Sequence, residues 1–542
     1  MDGSLKINLA PRRARLSNYE ARTLYHSEDT EMISQLNSRC LQDEHQVTQG
    51  EIATPGGTIK YTAEAGVLVV HMNDPLDVDQ FAPSEDQLPP PQLPPVASMS
   101  YFAYFQGSVE DPTRPITFVF NGGPGSASVW LHMGAFGPKR VIAEENSPSF
   151  AAPYPIVDNA YCLLNVSDVV FIDAPGTGFG HLRGEDKEKV FWSIDGDARA
   201  FAKFIVEFIA RHCRWNSPKY LFGESYGTVR ASVLAHVLQQ DWSIALNGII
   251  LLSQILCLYN SPDQPQFNPG INQPYVLALP TYAATAWYHH KLPSRPVSLQ
   301  SLLTEVEEFA MGDYARALAE GASLSPARKA EVADKLYKYT GLPAEYFERA
   351  NLRVNCGEFE KTLLDANITT SRLDSRFTGP TLDPMSKEAE YDPQLCAISS
   401  AYVCAFNEYM HTTLKFGSGK TYKAATDIWK RWSYEHKPPG NSVNSWLRFM
   451  NVEPDLAIAM QSNPSLKVQV HCGYYDLATP YFAAKYELDQ LPIQQDLHKN
   501  IAMHLYNSGH LVYANEHELR RLHSNISAFL CETNQSISGN RC

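Results

Sequence analysis

Between residues 100 and 260 short apolar runs alternate with stretches of helical period. The runs predict strands at Ser100–Phe105, Ile116–Asn121, Asp168–Asp173, Tyr220–Gly223 and Gly248–Ser253. In Ser193–Cys213 the residues Ile194, Ala198, Phe201, Phe204, Ile205 and Phe208 recur at helical spacing, which predicts an amphipathic helix. Short apolar strands alternating with helices imply a mostly parallel sheet covered on both faces, an α/β fold. Upstream, Gly56–His71 has β-rich alternation broken by glycine and predicts a hairpin. Residues 1–50 read as a polar arm, and residues 82–98, with six prolines, as an irregular connection. The pattern changes near Asn260. Residues 261–280 look loop-like; helices are predicted over Tyr282–Lys291, Leu299–Ala319 and Pro326–Tyr339, followed by an irregular segment at 368–395. Strand signals return at Leu466–Cys472 and Asn500–Tyr506, and the last helix is expected over Leu511–Phe529. The chain thus divides into an arm (1–50), the first part of a sheet core (51–260), an inserted, mainly helical cap (261–440) and the second part of the core (441–542).

Composition narrows the function. The 542 residues hold 59 Asp plus Glu against 45 Lys plus Arg, a net charge of -14. Nothing systematically neutralises phosphates, so nucleic acid is excluded as the main partner. The most apolar run, Gly248–Tyr259, is interrupted by Ser253 and Gln254 and falls short of the ~20 residues of a membrane span. Met1–Glu31 is polar, contains Arg12, Arg13 and Arg15, and has no apolar signal-peptide core. Read as written, it keeps the chain in the cytoplasm; a different start would make it secreted or vacuolar. The ten cysteines include no CxxC pair, so a zinc or thioredoxin site has no support and no metal is expected. Cys396 with Cys404, and Cys531 with Cys542, are close enough to bridge, and free thiols fit equally well. Oligomeric state has no signature.

The chemistry concentrates in Tyr220-Leu-Phe-Gly-Glu-Ser-Tyr-Gly-Thr-Val-Arg230. Gly223-x-Ser225-x-Gly227 lies between an apolar strand and the helical run Val229–Leu238, the setting of a nucleophile elbow. A serine hydroxyl needs a base, and this fold places the acid and then the histidine further along the chain. Cys472-Gly-Tyr-Tyr-Asp476 and Tyr506-Asn-Ser-Gly-His510 each follow a strand end, where catalytic groups gather in open α/β sheets. His510 would take the proton of Ser225, and Asp476 would hold the imidazole tautomer. Phe118-Val-Phe-Asn-Gly-Gly-Pro-Gly-Ser126 follows another strand and exposes backbone N–H groups. It would supply one oxyanion donor, the other being the N–H of Tyr226. No G-K-[ST] ending and no G-x-G-x-x-G occurs, so nucleotide binding is weakly supported.

Asn121-Gly-Gly-Pro-Gly125, Asp173-Ala-Pro-Gly-Thr-Gly-Phe179, Gly223-Glu-Ser-Tyr-Gly227, Gly473-x-x-Asp476 and Gly509-His510 together resemble the serine carboxypeptidase family of α/β hydrolases. Asn121 through His132, with Gly137-Pro138, looks most like its bacterial-type branch. The resemblance spans about residues 56–530, with little signature in the cap. It implies an α/β-hydrolase fold, a triad of Ser225, Asp476 and His510, and an oxyanion hole from the N–H groups of Gly123 and Tyr226. It also implies that Asn121 and Glu224 hydrogen-bond the substrate carboxylate, that the substrate is a peptide with a free C-terminus, and that no cofactor is needed. One carboxyl of such a pair must hold a proton, which fits the family's preference for acid. Val119 and Ser126 stand where members with a eukaryotic-type loop often have Trp and Cys, so a Trp contact and a loop disulfide are not carried over. The rivals are an acyltransferase using the same triad, a proline-releasing aminopeptidase (whose usual His is Asn121 here) and a silent binding protein.

Overall fold

The computed structural model describes residues 41–72, 94–142, 151–294, 296–440 and 450–538. The N-terminal arm up to residue 40 and most of the proline-rich connection lie outside them. A ten-stranded sheet organises the rest. Its strands are β1 (Glu44–Thr54), β2 (Gly57–His71), β3 (Val96–Phe105), β4 (Ile116–Phe120), β5 (Asp168–Ile172), β6 (His181–Arg183), β7 (Lys219–Glu224), β8 (Gly248–Leu252), β9 (Lys467–Gly473) and β10 (Ile501–Tyr506). The order is β1-β2-β3-β5-β4-β7-β8-β9-β10, with β6 on β3. From β5 to β10 all neighbours are parallel; β1, β2 and β3 are antiparallel to theirs. This mixed, mainly parallel sheet, with an elbow after β7, is the α/β-hydrolase fold.

The central strands β4, β5 and β8 are buried throughout, as parallel strands covered on both faces must be. Phe118 and Phe120 point into one apolar cluster and Val119 into the other, following the two-residue period of a strand. The first face is covered by α1 (Ile194–Arg211) and α2 (Tyr226–Trp242). Ser193 caps α1, accepting a hydrogen bond from the Gly196 N–H.

Between β8 and β9 the chain leaves the sheet. It forms α3 (Gln273–Tyr288), α4 (Leu299–Phe309), α5 (Pro326–Thr340) and α6 (Pro393–Tyr409) before returning through α7 (Glu453–Ser462). Tyr402 and Phe406 of α6 join the second sheet face. The same cluster includes Leu519, Leu522 and Ile526 of α9 (Glu516–Ser538), which follows α8 (Tyr481–Asp489) and β10.

Several expectations need correcting. Gly56–His71 is not a hairpin by itself: β2 is one long strand whose partner β1 comes from the supposed polar arm. Gly66 marks a close approach, not a turn, because a Cβ there would sit 2.7 Å from the Tyr101 ring. The helix expected from Tyr282 begins at Gln273 and runs through Pro280. Its residues are buried almost without break, and packing on all sides outweighs the lost hydrogen bond. Leu299–Ala319 breaks at a π turn, Ala310–Tyr314. The segment 368–395 contains a small hairpin, Ile368–Thr370 with Thr378–Pro380. The last helix starts at Glu516, after a 3-10 turn at Val512–Ala514. Cys396 and Cys404 are exposed free thiols; Cys542 lies outside the described residues.

Candidate active site

Ser225 sits between β7 and α2 with φ 59° and ψ -127°, a backbone conformation that costs energy and is held by its surroundings. Its N–H donates to the Leu252 carbonyl (2.9 Å), and its own carbonyl accepts from the Thr228 hydroxyl (2.7 Å). Gly223 is required by proximity: a Cβ there would stand 2.1 Å from the Gly227 carbonyl oxygen. The turn therefore lifts the Ser225 side chain off the carboxyl edge of the sheet.

His510 and Asp476 arrive from the other end of the chain. Parallel pairing of β8 with β9 and of β9 with β10 puts both loops beside the elbow. His510 Nδ1 is 2.8 Å from Asp476 Oδ2. Asp476 is fully buried. Its Oδ1 accepts the N–H groups of Ala478 and Thr479 (both 2.9 Å), and its Oδ2 accepts the Thr479 hydroxyl (2.7 Å). A carboxylate fixed at both oxygens fixes the imidazole it faces. Burial works to lower the His510 pKa, but the Asp476 charge and hydrogen bond outweigh it and raise it. Ser225 and His510 line one cavity of about 570 Å³. No hydrogen bond joins their side chains among the described residues, as is common before substrate tightens a catalytic pair.

The loop after β4 packs its backbone at Gly122 against the amides of Tyr226 and Gly227. Gly123 has φ +105°. The N–H groups of Gly123 and Tyr226 meet no protein acceptor among the described residues. Asn121 is buried; its Oδ1 accepts the Leu131 N–H (3.1 Å), which leaves its Nδ2 as the donor. Glu224 is also buried, and its Oε2 has no hydrogen-bond partner. Burial pushes its carboxyl up to about 7, while His510, Tyr513 and Asn121 pull it back.

Other residues in and around the site carry no sequence signal, or one that only the fold makes readable. Arg230, which closes the elbow segment Tyr220–Arg230, is fully buried. It grips Asp197 (2.6 Å) and donates to the Asn121 carbonyl (2.7 Å). Asp173 accepts from the Ser128 N–H (2.8 Å), the Ser100 hydroxyl (2.7 Å) and the Tyr422 hydroxyl (3.0 Å). Both hold the Asn121–Ser128 loop. The opposite cavity wall carries Glu360, Arg372, Tyr391 and Trp429, all from the segment without family signature. Burial lifts Glu360 to about 8.

Residues 95–256, from the start of β3 to just past β8, match the family model for serine carboxypeptidases. Over these residues the chain is similar to the serine carboxypeptidase family. The match includes Asn121, Gly123, Glu224, Ser225 and Tyr226 and stops short of Asp476 and His510, which the sheet brings in. A serine carboxypeptidase-like protein of Arabidopsis thaliana, number 33, is 28% identical over 166 residues, 28% of this chain and 32% of that protein. Serine-type carboxypeptidase F of Aspergillus niger is 31% identical over 134 residues, 24% of this chain and 22% of that enzyme. The chain thus spans a third or less of these relatives' length. The prohormone-processing carboxypeptidase Kex1(delta)p of Saccharomyces cerevisiae superposes with a TM-score of 0.48 at 14% identity, covering 85% of this chain and 91% of its own.

Proposed function

We propose that the protein is a serine carboxypeptidase of the bacterial-type branch, releasing the C-terminal residue of peptides through an acyl-enzyme on Ser225. The carrying observation is Glu224. A buried carboxyl beside the elbow, with an unpaired oxygen and an affinity for protons that reaches about 7, suits a second carboxylate that shares its proton. With Asn121 it holds the substrate's C-terminus, so the last peptide bond lies over Ser225. His510 takes the Ser225 proton as Oγ attacks the carbonyl, and the N–H groups of Gly123 and Tyr226 receive the oxyanion. His510, charged and steadied by Asp476, then protonates the leaving amine. Water repeats the sequence to free the shortened peptide. No step calls for a metal or organic cofactor. Val119 and Ser126, in place of Trp and Cys, support the branch.

The test is a mass-spectrometric time course on one N-blocked peptide at pH 5, supplied as free acid and as C-terminal amide. Fast loss of the last residue from the acid, with much slower attack on the amide, is the expected result. No cleavage of either, in protein that still labels with a phosphonate, overturns the reading in favour of an acyltransferase.

A further inference from the structure

The segment from Tyr422 to His436 crosses the loops that surround the elbow as a strap. The Lys423 N–H donates to the Gly178 carbonyl (3.0 Å) and the Gly178 N–H donates back to the Lys423 carbonyl (2.9 Å). The Ala127 N–H donates to the Ala424 carbonyl, and the Thr426 N–H to the Gly125 carbonyl, both at 2.9 Å. The Thr426 hydroxyl reaches that same Gly125 carbonyl (3.1 Å). The strap is therefore bonded on either side of Ser126, three residues from Gly123. Ala425 and Trp429 face the catalytic cavity, and the Trp432 ring meets the Tyr226 ring edge to face at 5.2 Å.

The far end of the strap is pinned. The Ser433 N–H donates to the Trp192 carbonyl (2.9 Å). The His436 side chain is buried, with Nδ1 2.5 Å from Asp195 Oδ1 at the start of α1 and Nε2 2.7 Å from Asp455 Oδ2 in the first turn of α7. A neutral imidazole has a single N–H, so donation to two carboxylates calls for the imidazolium. Arg199 on α1, with Glu435 on the strap and Lys437 just past it, line the adjoining cavity, and His236 on α2 acts on Asp455.

We infer that His436 is a positioning residue for the active site: as an imidazolium clasped by Asp195 and Asp455, it tensions the strap that holds the Gly123–Ala127 loop at oxyanion geometry. The inference rests on the assignment of Gly123 as an oxyanion donor. Burial works against the His436 charge, but the two carboxylates outweigh it and bring its pKa up to about 9. A raised pKa means the clasp is complete at neutral pH and is lost as pH rises through about 9.

Two readouts on the full chain test this, in wild type, His436→Gln and the milder Asp195→Asn. Hydrogen exchange at pH 7 over residues 119–131 should quicken about 10-fold or more in His436→Gln, with residues 44–71 unchanged. The rate of Ser225 labelling by a phosphonate should fall at least ~10-fold in His436→Gln. In wild type that rate should decline as pH passes about 9, and Asp195→Asn should bring the decline to lower pH. A purely structural histidine would leave the position of that decline where it was. Unchanged exchange at 119–131 and an unshifted decline in Asp195→Asn overturn the inference, and Asp195→Asn decides alone if His436→Gln fails to fold. Wild-type protein that does not label at all sinks the carboxypeptidase reading instead, and the exchange data still decide the clasp.

Discussion

Burial pushes the Glu224 carboxyl up to about 7, so below that pH it holds the proton that the substrate carboxylate of the proposed reaction would share. As pH rises through 7 the proton is lost and two negative charges face each other. KM for N-blocked free-acid peptides should therefore climb across that range, and Glu224→Gln should flatten the climb in a KM–pH series. The same variant removes a negative neighbour that raises His510, so the acid limb of kcat should move to lower pH. Asp476 does different work, since its contacts orient His510. Asp476→Asn should lower kcat about 10³- to 10⁴-fold with little change in KM, read by steady-state kinetics. These residues stood out in the sequence because each sits beside or within three residues of a glycine at a strand end. Asp173 stands within the same motifs, yet its contacts with Ser100 and Tyr422 come from tertiary approach. Glu360 and Arg372 had no signal, because nothing in the spacing of the intervening segment says which residues will face the elbow.

Arg230 links two elements that the proposed reaction needs in register. Its guanidinium joins Asp197 of α1 to the Asn121 carbonyl at the end of β4 and lies 4.3 Å from the Phe201 ring centroid. Arg230→Met would strand a buried carboxylate, at a cost of about 3–5 kcal/mol, and would free the Asn121 loop. Chemical denaturation should show the first loss, and slower phosphonate labelling the second. At this scale the parallel strands were legible to within a few residues, since a short, unbroken apolar run between turn residues suits a strand buried on both faces. Elements that break local rules were missed or misplaced. Residues 261–280 look loop-like, yet α3 starts at Gln273 and runs through Pro280 because burial outweighs the lost bond, and β1, exposed on most of its length, carries no apolar alternation to find. α6 went unread because its start, Pro393, follows a segment with irregular composition.

Across the whole molecule, charge burial sets how stability responds to pH. Glu224 and Glu487 titrate at about 7, Glu360 at about 8 and His436 at about 9 in the fold. All four lie above their unfolded values, so between pH 7 and 8 the folded chain binds more protons than the unfolded chain. Stability should rise as pH falls from 8 to 7, and Tm from calorimetry at the two pH values checks the sign. Below 6.5 the trend should weaken, because His132, held at about 3 by burial, and the buried His471 stay neutral only in the fold. The overall architecture was legible because strands and helices alternate so regularly, whereas the packing of α6 on the sheet depends on contacts far apart in sequence. The nucleophile elbow and its two partners stand on opposite sides of the long excursion between β8 and β9, and β9 completes the sheet only by pairing with β8. A ribosome adding about 5–20 residues per second therefore exposes Ser225 tens of seconds before His510 emerges. During that interval the nascent chain carries a hydroxyl with no base, so the proposed acyl-enzyme chemistry on Ser225 has to wait until the His510 segment has been made and has paired into the sheet.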